Sequence, residues 1–386
     1  MEYQSTPFAA MPISARGPYF GMPPNIMSTR VKTDGFAFVE FVSSRPMELV
    51  DLFEQLGFCL RGKSRSGMLL MTQGAAAFIV NGNPNAFESW HGASVRAIGI
   101  RVNDAQAARE QAVAGGAVSA SAEKEGAFVL DTPTILGIGD SLVYFVDSDF
   151  REIFSLPVEV RNTQEGDANI LAVDHTSNIV HPKNLDLWAN FYRDTFGFAE
   201  KQYLEVKGHM SGMRARSMVS PCGRVSIPVA AAAHDQPGVL NQNDEFIRDY
   251  GGEGIQHIAL LTSDIEDTIQ KLGAAGVEFM AAPSQNYYDG IDRRLPGHGL
   301  DIRRLAERGI LVDGKGPQKI LLQRFTKRQI GPVFFEIIER RGEDGFGEGN
   351  FKALFESQEN QGAVRIAGEG PATTRPTQLI ARQGLR

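Results

Sequence analysis

Residues 254–279 read "GIQHIALLTSDIEDTIQKLGAAGVEF", and they resemble "ASVRAIGIRVNDAQAAREQAVAGGAV" at residues 93–118. In each stretch an apolar strand leads to an aspartate where a helix begins, and the helix ends at glycine. Aspartate and glycine are residue types that cap the two ends of helices. The same strand–helix unit therefore occurs twice, and this repetition is the main evidence for the fold.

Two further pairs of segments match in the same chain order. "DGFAFVEFVSSRPMELVDLFEQLGF" (34–58) resembles "VDHTSNIVHPKNLDLWANFYRDTFGF" (173–198), and "DSLVYFVDS" (140–148) resembles "GPVFFEIIE" (331–339). One matched pair of amphipathic segments means little, but three pairs in order indicate an internal duplication. We predict an α+β fold with two tandem domains of βαβββ-type units, whose mixed sheets curl around a cleft.

The repeat places the predicted domains at residues 31–160 and 168–356. Residues 1–30 and 361–386 are rich in proline, glycine and polar residues, which predicts a flexible extension and a flexible tail. The extension lacks the basic start and apolar core of a secretory signal. A length of 386 residues is compatible with two or three domains.

Composition excludes several classes of partner. The formal net charge is -7 and no basic block is present, so we expect no nucleic-acid partner. No apolar run reaches the roughly 18 residues of a membrane span, so we expect no membrane partner. The two cysteines, Cys59 and Cys222, cannot form a disulfide framework, and the sequence predicts a cytoplasmic protein.

Glu336 is an unusual residue in an apolar strand. It lies inside "GPVFFEIIERRG" (331–342), a segment apolar enough to be buried on both faces. An ionised carboxylate is almost never buried without a partner, because leaving water costs several kcal/mol or more. A structural explanation is an ion pair with the nearby Arg340 or Arg341. A functional explanation is a bound metal ion.

The repeat favours the metal. In the second half, His175, His257 and Glu336 fall in three successive matched strands, 82 and 79 residues apart. Two histidines and one carboxylate with open positions are the ligand set of non-heme Fe(II) oxygenases, although zinc or nickel competes for the same ligands. We therefore predict one metal site per chain at these three residues, which holds either Fe(II), with dioxygen as co-substrate, or zinc or nickel with water.

The first half has apolar residues at the matched positions: Phe36 or Phe38, Ala97 and Phe145. This predicts that only the second half keeps a metal. The other histidines lie in polar or Gly/Pro-containing stretches and read as loop residues: His91, His181, His209, His234 and His298.

The run "GPVFFEIIERRGEDGFGEGNFKALFESQE" (331–359), with "GEGIQHIAL" and "VDHTSNIV", strongly resembles the 4-hydroxyphenylpyruvate dioxygenase family. That family has the vicinal-oxygen-chelate fold, and the resemblance extends from about residue 33 to 359. It implies an aryl 2-oxo acid substrate and, in tyrosine catabolism, oxidative decarboxylation and ring hydroxylation of 4-hydroxyphenylpyruvate to homogentisate. It also implies a homo-oligomer, a dimer or a tetramer, and a C-terminal lid helix at 350–359.

The resemblance carries site residues over by position. It implies that His175, His257 and Glu336 are the iron ligands, and that Gln256, Gln323 and Asn350 are catalytic. The residues that it places around the substrate are Gln242, Gln256, Gln323, Phe325, Phe346 and Phe351. Amides bind oxygens without adding charge, and phenylalanines hold a flat ring and exclude water, so these residue types suit the substrate.

Two positions depart from the family pattern. Ala215 and Ala230 stand where the family usually has a serine and an asparagine. Because both changes remove hydrogen-bonding groups, we expect an altered preference among aryl 2-oxo acids. The alternatives are side-chain hydroxylation, as in 4-hydroxymandelate synthase, a zinc or nickel enzyme such as a glyoxalase, and a binding module without activity.

Overall fold

A computed structural model describes most of the chain. Outside the described residues lie the predicted extension 1–30, Phe351, the predicted lid helix after Asn350, and the tail apart from a two-residue strand. The described residues are 31–83, 86–121, 130–158, 168–207, 212–233, 239–350 and 365–366.

The first half forms one seven-stranded sheet. Its strands are β1 (Thr33–Val42), β2 (Cys59–Lys63), β3 (Leu69–Gln73), β4 (Ala76–Asn81), β5 (Ser94–Val102), β6 (Thr134–Leu136) and β7 (Leu142–Val146). The order across the sheet is β2-β3-β4-β1-β5-β7-β6. The strand with the first matched segment, β1, is therefore central.

The second half forms an eight-stranded sheet and a short ribbon. Its strands are β8 (Ile170–Ile179), β9 (Ala199–Lys207), β10 (Gly212–Val219), β11 (Ser226–Ala233), β12 (Val239–Leu240), β13 (Gly254–Thr262), β14 (Leu311–Gly316), β15 (Lys319–Phe325), β16 (Phe334–Arg341) and β17 (Arg365–Ile366). The sheet order is β14-β15-β16-β13-β8-β11-β10-β9, and β12 pairs with β17. The three strands that carry the predicted metal ligands, β16, β13 and β8, are neighbours in this sheet.

Helices connect these strands, and two begin as the sequence predicts. Asp104 accepts a hydrogen bond from the backbone N–H of Ala107, and Asp264 accepts one from that of Asp267, so each caps its helix. The α-helices are Pro46–Gln55, Ala86–His91, Ala105–Ala114, Leu185–Phe196, Gln242–Tyr250, Ile265–Ala274, Gln285–Asp289, Ile291–Arg294 and Ile302–Glu307. Short 3₁₀ helices span Ile138–Asp140, Phe150–Phe154 and Pro182–Asn184.

The strand pairing repeats between the halves. In the first half, β1 pairs parallel with β4 and antiparallel with β5, and β5 pairs parallel with β7. In the second half, β8 pairs parallel with β11 and antiparallel with β13, and β13 pairs parallel with β16. The predicted α+β fold of two tandem domains built from βαβββ-type units is confirmed by this topology.

The register of the central strands brings two predicted ligands to one level of the second sheet. Ala259 of β13 stands opposite His175 of β8 on one side and opposite Glu336 of β16 on the other. His257 lies two residues earlier on β13. Because side chains alternate between the faces of a strand, His257 lies on the same face of β13 as Ala259.

The first sheet has the same arrangement without ligands. Gly99 stands opposite Phe38 on one side and Tyr144 on the other. The two alternatives for β1 therefore resolve to Phe38, but the expected Phe145 is wrong by one residue, and Tyr144 is the equivalent of Glu336. The rings of Phe38 and Tyr144 pack with centroids 5.5 Å apart. Aromatic packing occupies the place that the ligands take in the second sheet.

The strand β16 is anchored in the core of the first half. Phe335, next to Glu336, lies 5.9 Å from the ring of Phe78 and 6.3 Å from those of Phe41 and Phe53. Neighbouring residues of a strand point to opposite faces, so this packing directs Glu336 into the second sheet's interior. Among the described residues, no helix is both long and apolar enough to span a bilayer.

Candidate active site

His175, His257 and Glu336 come together inside the second sheet. One ligand atom from each lies within 4.8 Å of the others. His175 Nε2 is 3.3 Å and His257 Nε2 is 3.4 Å from Glu336 Oε2. All three side chains are buried, with exposures of 2%, 3% and 0%. The structure therefore brings the three predicted ligands to one point.

The donor atoms at this point fit a divalent cation. Both ring nitrogens of His257 and Oε2 of Glu336 are buried without a hydrogen-bond partner in the described part of the chain. The contacts between them are close enough for charge attraction but are not aligned as hydrogen bonds. Each unsatisfied buried group costs about 1–3 kcal/mol, and a metal ion satisfies all of them together. Two imidazoles and one carboxylate suit Fe(II), and they also accept zinc or nickel.

Electrostatics keep the carboxylate ionised. Burial opposes the charged form of Glu336, but His175 and His257 outweigh it and hold its pKa at about 2. Burial also opposes the charged form of His175, yet Glu336 and Asp174 raise its pKa to about 9. For His257, burial dominates and lowers the pKa. Because a ligating imidazole must be neutral, a metal ion competes with this proton for His175.

Asp174 orients His175 from outside the ligand set. His175 Nδ1 donates to Asp174 Oδ1 at 2.7 Å, which leaves Nε2 directed at Glu336. Arg340 donates to both oxygens of Asp174, at 2.7 and 2.8 Å. Burial opposes ionisation of Asp174, but Arg340 and His175 hold its pKa well below the usual range. Such partners fix the orientation of a ligating imidazole.

These contacts decide between the two explanations for Glu336. Arg340 pairs with Asp174, and Arg341 pairs with Glu339 at 2.6 Å, so neither arginine neutralises Glu336. Sequence analysis missed the role of Asp174. The available signal was a carboxylate directly before a predicted histidine ligand.

Gln323 connects Glu336 to the loop that follows β16. Its Nε2 donates to Glu336 Oε1 at 2.8 Å and to the carbonyl of Phe346 at 3.2 Å. Asn350 Nδ2 donates to Gln323 Oε1 at 2.8 Å, and Tyr287 donates to Asn350 Oδ1 at 2.6 Å. Gln323, predicted as catalytic, therefore contacts a predicted ligand, and Asn350, also predicted as catalytic, contacts Gln323. Glu336 keeps Oε2 available for a cation.

A cavity opens beside His257. The space between its walls, with the open solvent at its mouth included, is about 520 Å³, and Gln242, Gln256 and Phe346 line it as predicted. The Phe346 ring also stands edge-on to His175, with centroids 5.4 Å apart. Phe325 is buried against His257 at 6.4 Å between ring centroids. Phe351 lies outside the described residues.

The two positions that depart from the family pattern face each other. Ala215 of β10 and Ala230 of β11 are direct cross-strand partners, and both line the cavity. Ile179 pairs with Ala230, and Leu204 pairs with Ala215. Four strands thus contribute one continuous apolar row to the cavity wall, which we call the apolar row (Ile179, Ala230, Ala215 and Leu204).

A second row of the cavity wall, which we call the polar row (Ser177, Ser217 and Gln202), lies two residues along each strand from the apolar row, on the side nearer to the predicted ligands. Ser217 stands opposite Pro228 on one side and Gln202 on the other, and Ser177 lines the same part of the cavity. On β8, Ser177 lies between His175 and Ile179. The cavity wall therefore changes from charged ligands to a polar row and then to the apolar row.

Comparison with family models covers both halves. The model described as "Hydroxyphenylpyruvate dioxygenase, HPPD, N-terminal" matches residues 28–156. The model of the glyoxalase/bleomycin resistance protein/dioxygenase superfamily matches residues 172–294. The two matches agree with the duplicated topology of the two sheets.

Relatives of known name match most of the chain. A 4-hydroxyphenylpyruvate dioxygenase from Pseudomonas aeruginosa is 40% identical over 342 residues, which cover 85% of this chain and 94% of the relative. Hemolysin VllY from Vibrio vulnificus is 42% identical over 343 residues, with the same coverage. A solved structure of a mutant 4-hydroxymandelate synthase from Streptomyces coelicolor shares the fold, with a TM-score of 0.69 and 24% identity over 86% of this chain and 99% of that one. The chain belongs to the 4-hydroxyphenylpyruvate dioxygenase family and is an enzyme of the non-heme iron dioxygenase type.

Proposed function

We propose that this enzyme converts 4-hydroxyphenylpyruvate and dioxygen to homogentisate and carbon dioxide, a reaction of tyrosine catabolism. The observation that supports this most strongly is the buried cluster of His175, His257 and Glu336 beside the cavity. The 40% identity to a 4-hydroxyphenylpyruvate dioxygenase over 85% of the chain also supports it.

We propose one Fe(II) per chain, bound by His175 Nε2, one nitrogen of His257 and Glu336 Oε2. When bound, the iron supplies the redox chemistry that activates dioxygen. Gln323 and Asp174 orient two of the ligands, Glu336 and His175, through hydrogen bonds. Gln323 holds Glu336 Oε1, so that Oε2 faces the ion, and Asp174 fixes the proton of His175 on Nδ1.

The cavity residues have separate tasks in this proposal. The amides of Gln242 and Gln256 line the cavity and can donate hydrogen bonds to oxygen atoms of the substrate. The ring of Phe346 packs edge-on against His175 at the wall of the same cavity and excludes water from the ligands. Orientation and exclusion of water are the protein's contribution, whereas the oxidising power is the cofactor's.

The balance of the reaction requires no second organic substrate. Oxidative loss of the 2-oxo acid's carboxyl group as carbon dioxide supplies two electrons, and ring hydroxylation supplies two more, which together reduce one dioxygen. One oxygen atom enters the new carboxylate and the other enters the ring. No external reductant or 2-oxoglutarate is therefore needed.

A second candidate is the same chemistry on another aryl 2-oxo acid. It is favoured by the cross-strand pair of Ala215 and Ala230, which offers no hydrogen bond to a ring substituent. Side-chain hydroxylation to 4-hydroxymandelate is a third outcome of the same chemistry. The product distinguishes these candidates.

Product analysis tests the proposal. Protein loaded anaerobically with Fe(II) is mixed with 4-hydroxyphenylpyruvate in air, and the products are separated by chromatography against standards. Separation is required because homogentisate and 4-hydroxymandelate are isomers of equal mass. We expect homogentisate from the wild type and no product from His257→Ala. Product from phenylpyruvate but not from 4-hydroxyphenylpyruvate would instead support the second candidate.

A further inference from the structure

Asn243 is a polar residue at the cavity that no step above uses. It lies in the first turn of the helix Gln242–Tyr250 and lines the cavity, although only 2% of the residue is exposed. Its side-chain nitrogen is buried and has no hydrogen-bond partner among the residues that the structure describes. A buried amide donor without a partner is costly, and at a cavity wall it indicates a ligand that accepts the bond.

Hydrogen bonds at the N-terminus of this helix fix the position of Asn243 in its first turn. Asn241 caps the helix, accepting from the backbone N–H of Asn243 at 2.9 Å, and Asp244 accepts from the backbone N–H of Asn241 at 2.9 Å. This reciprocal capping box defines where the first turn begins. The backbone of Asn243 is therefore held at the cavity wall by a rigid element.

Asn243 lies at the end of the cavity away from the predicted ligands. It also borders a second pocket together with Val180, which directly follows β8, and Ala232, which lies two residues after Ala230 on β11. Ile179 is four residues beyond His175, which is about 13 Å along a strand at 3.3 Å per residue. A ring whose 2-oxo acid is held beside His175, and whose long axis follows β8 toward Ile179, has its far end directed toward the end of the cavity where Asn243 lies.

The strands beside the far end of the ring offer it no side-chain hydrogen bond, so a donor there has to come from the helix Gln242–Tyr250. The apolar row, which contains Ala215 and Ala230, offers no side-chain hydrogen bond at the far end. Ser217 and Gln202 belong to the polar row, which is one step nearer to His175, alongside the body of the ring. Gln242 and Asn243 of this helix both line the cavity, and of the two it is Asn243 whose side-chain nitrogen is buried without a hydrogen-bond partner among the described residues.

We propose that Asn243 determines substrate specificity by donating a hydrogen bond to an oxygen substituent at the far end of the aryl ring. The substrate class is an aryl 2-oxo acid with such an oxygen, bound from the helix side of the cavity rather than from the strands. This inference rests on the proposed function, because the 2-oxo acid must be held beside His175 and His257.

The test compares two ligands that differ only in the ring hydroxyl. Fe(II)-loaded protein is titrated anaerobically by calorimetry with 4-hydroxyphenylpyruvate and with phenylpyruvate. The wild type is expected to bind the hydroxylated ligand about tenfold more tightly or better, because a site built to bind an oxygen leaves a donor unpaired with the analogue. In Asn243→Leu, which has similar volume, the ratio of the two affinities falls to about one, and binding of phenylpyruvate is retained.

Controls separate this effect from a loss of fold. Asn190→Leu, the same change at an exposed site on the helix Leu185–Phe196, is expected to leave the ratio unchanged. Asn243→Ala serves as a second variant, and thermal unfolding of each variant shows that it is folded. An unchanged ratio in both folded Asn243 variants, or a wild type that does not prefer 4-hydroxyphenylpyruvate, overturns the inference.

Oxygen uptake recorded in parallel distinguishes this inference from the proposed function. Uptake with both ligands and an unchanged ratio in the Asn243 variants overturns only the role of Asn243. Absence of uptake with either ligand overturns the proposed function, while the affinity ratio still decides the role of Asn243.

Discussion

The guanidinium of Arg340 donates two hydrogen bonds to the carboxylate of Asp174, of 2.7 Å to Oδ2 and 2.8 Å to Oδ1. The same guanidinium donates to the carbonyl of Gly345 at 2.6 Å and lies 5.8 Å from the ring centroid of Phe346. One cation therefore joins the partner of His175 to the loop that covers the site. Bidentate pairs of this kind are strong and geometrically specific.

Replacing Asp174 tests whether this pair supports metal binding. Asp174→Asn removes the anionic acceptor of His175 Nδ1 and leaves Arg340 buried with a weaker partner. We expect about 10–100-fold weaker Fe(II) binding, as is typical for the outer partners of ligating histidines. Competition with a chelator under anaerobic conditions measures this, and Asp131→Asn, an exposed site, is the control. Equal Fe(II) affinity in wild type and Asp174→Asn would contradict the role.

Gly347 tests the position of Gln323. A Cβ atom on Gly347 would lie 2.0 Å from Gln323 Oε1, so alanine must displace Gln323 from Glu336 and Asn350. We expect Gly347→Ala to lower the turnover rate at least about tenfold, as loss of a ligand's partner does. Oxygen uptake at saturating substrate gives the rate.

Gly223→Ala is the matched control for this change. Gly223 has φ +74 and Gly347 has φ +79, but a Cβ atom on Gly223 would meet no atom within 4 Å. Both variants therefore carry similar backbone strain of about 1 kcal/mol or more, and only one displaces Gln323. If the two variants lose the same activity, strain rather than Gln323 explains the loss.

Glu40 gives the first half a pH-dependent stability. Burial raises its pKa from 4.5 to about 7, against the opposing effects of Asn81 and Arg96. Between these values the folded state binds the proton more tightly than the unfolded chain, so the free energy of unfolding falls as pH rises. The fall amounts to about 3 kcal/mol by pH 8.

Glu40→Gln isolates this contribution, because glutamine does not titrate and can still accept from Asn81, which donates to Glu40 at 2.7 Å. We expect the variant to gain stability relative to the wild type between pH 5 and pH 8. Denaturant unfolding at both pH values measures the difference. A constant difference between the two proteins across this range would show that Glu40 does not titrate there.

Metal binding is expected to stabilise the folded chain. Fe(II) at 100 times its dissociation constant adds about 2.7 kcal/mol to the free energy of unfolding, if only the folded state binds it. His257→Ala should lose this gain in the free energy of unfolding, because only two of the three ligands remain. Anaerobic thermal unfolding with and without Fe(II) measures it. The same gain in both proteins would place the metal elsewhere.

The fold could be predicted from sequence because its signals are local and repeated. Strand, cap and helix patterns recur in order, and the ligands His175, His257 and Glu336 stand at matched strand positions. The one-residue error at Phe145 has a physical cause. Strand β7 is buried along its whole length, so its sequence lacks the alternation of polar and apolar residues that fixes a register, and an ungapped match to β16 slips by one residue.

The supporting contacts could not be predicted because they join distant parts of the chain. Asp174 and Arg340 are 166 residues apart, and no local pattern connects them. Asn243 looks like an ordinary polar residue at a helix start, and only the fold places it at the cavity. The domain boundaries 31–160 and 168–356, and assembly as a dimer or a tetramer, stay predictions.

The stoichiometry of gas exchange tests the central claim most directly. Oxygen consumed and carbon dioxide released are measured after 4-hydroxyphenylpyruvate is added to protein that was loaded anaerobically with Fe(II). The account predicts one carbon dioxide for each dioxygen, and neither gas exchanged by Glu336→Ala. Conversion of substrate without oxygen uptake, as a hydrolytic or isomerising metal enzyme would give, contradicts it.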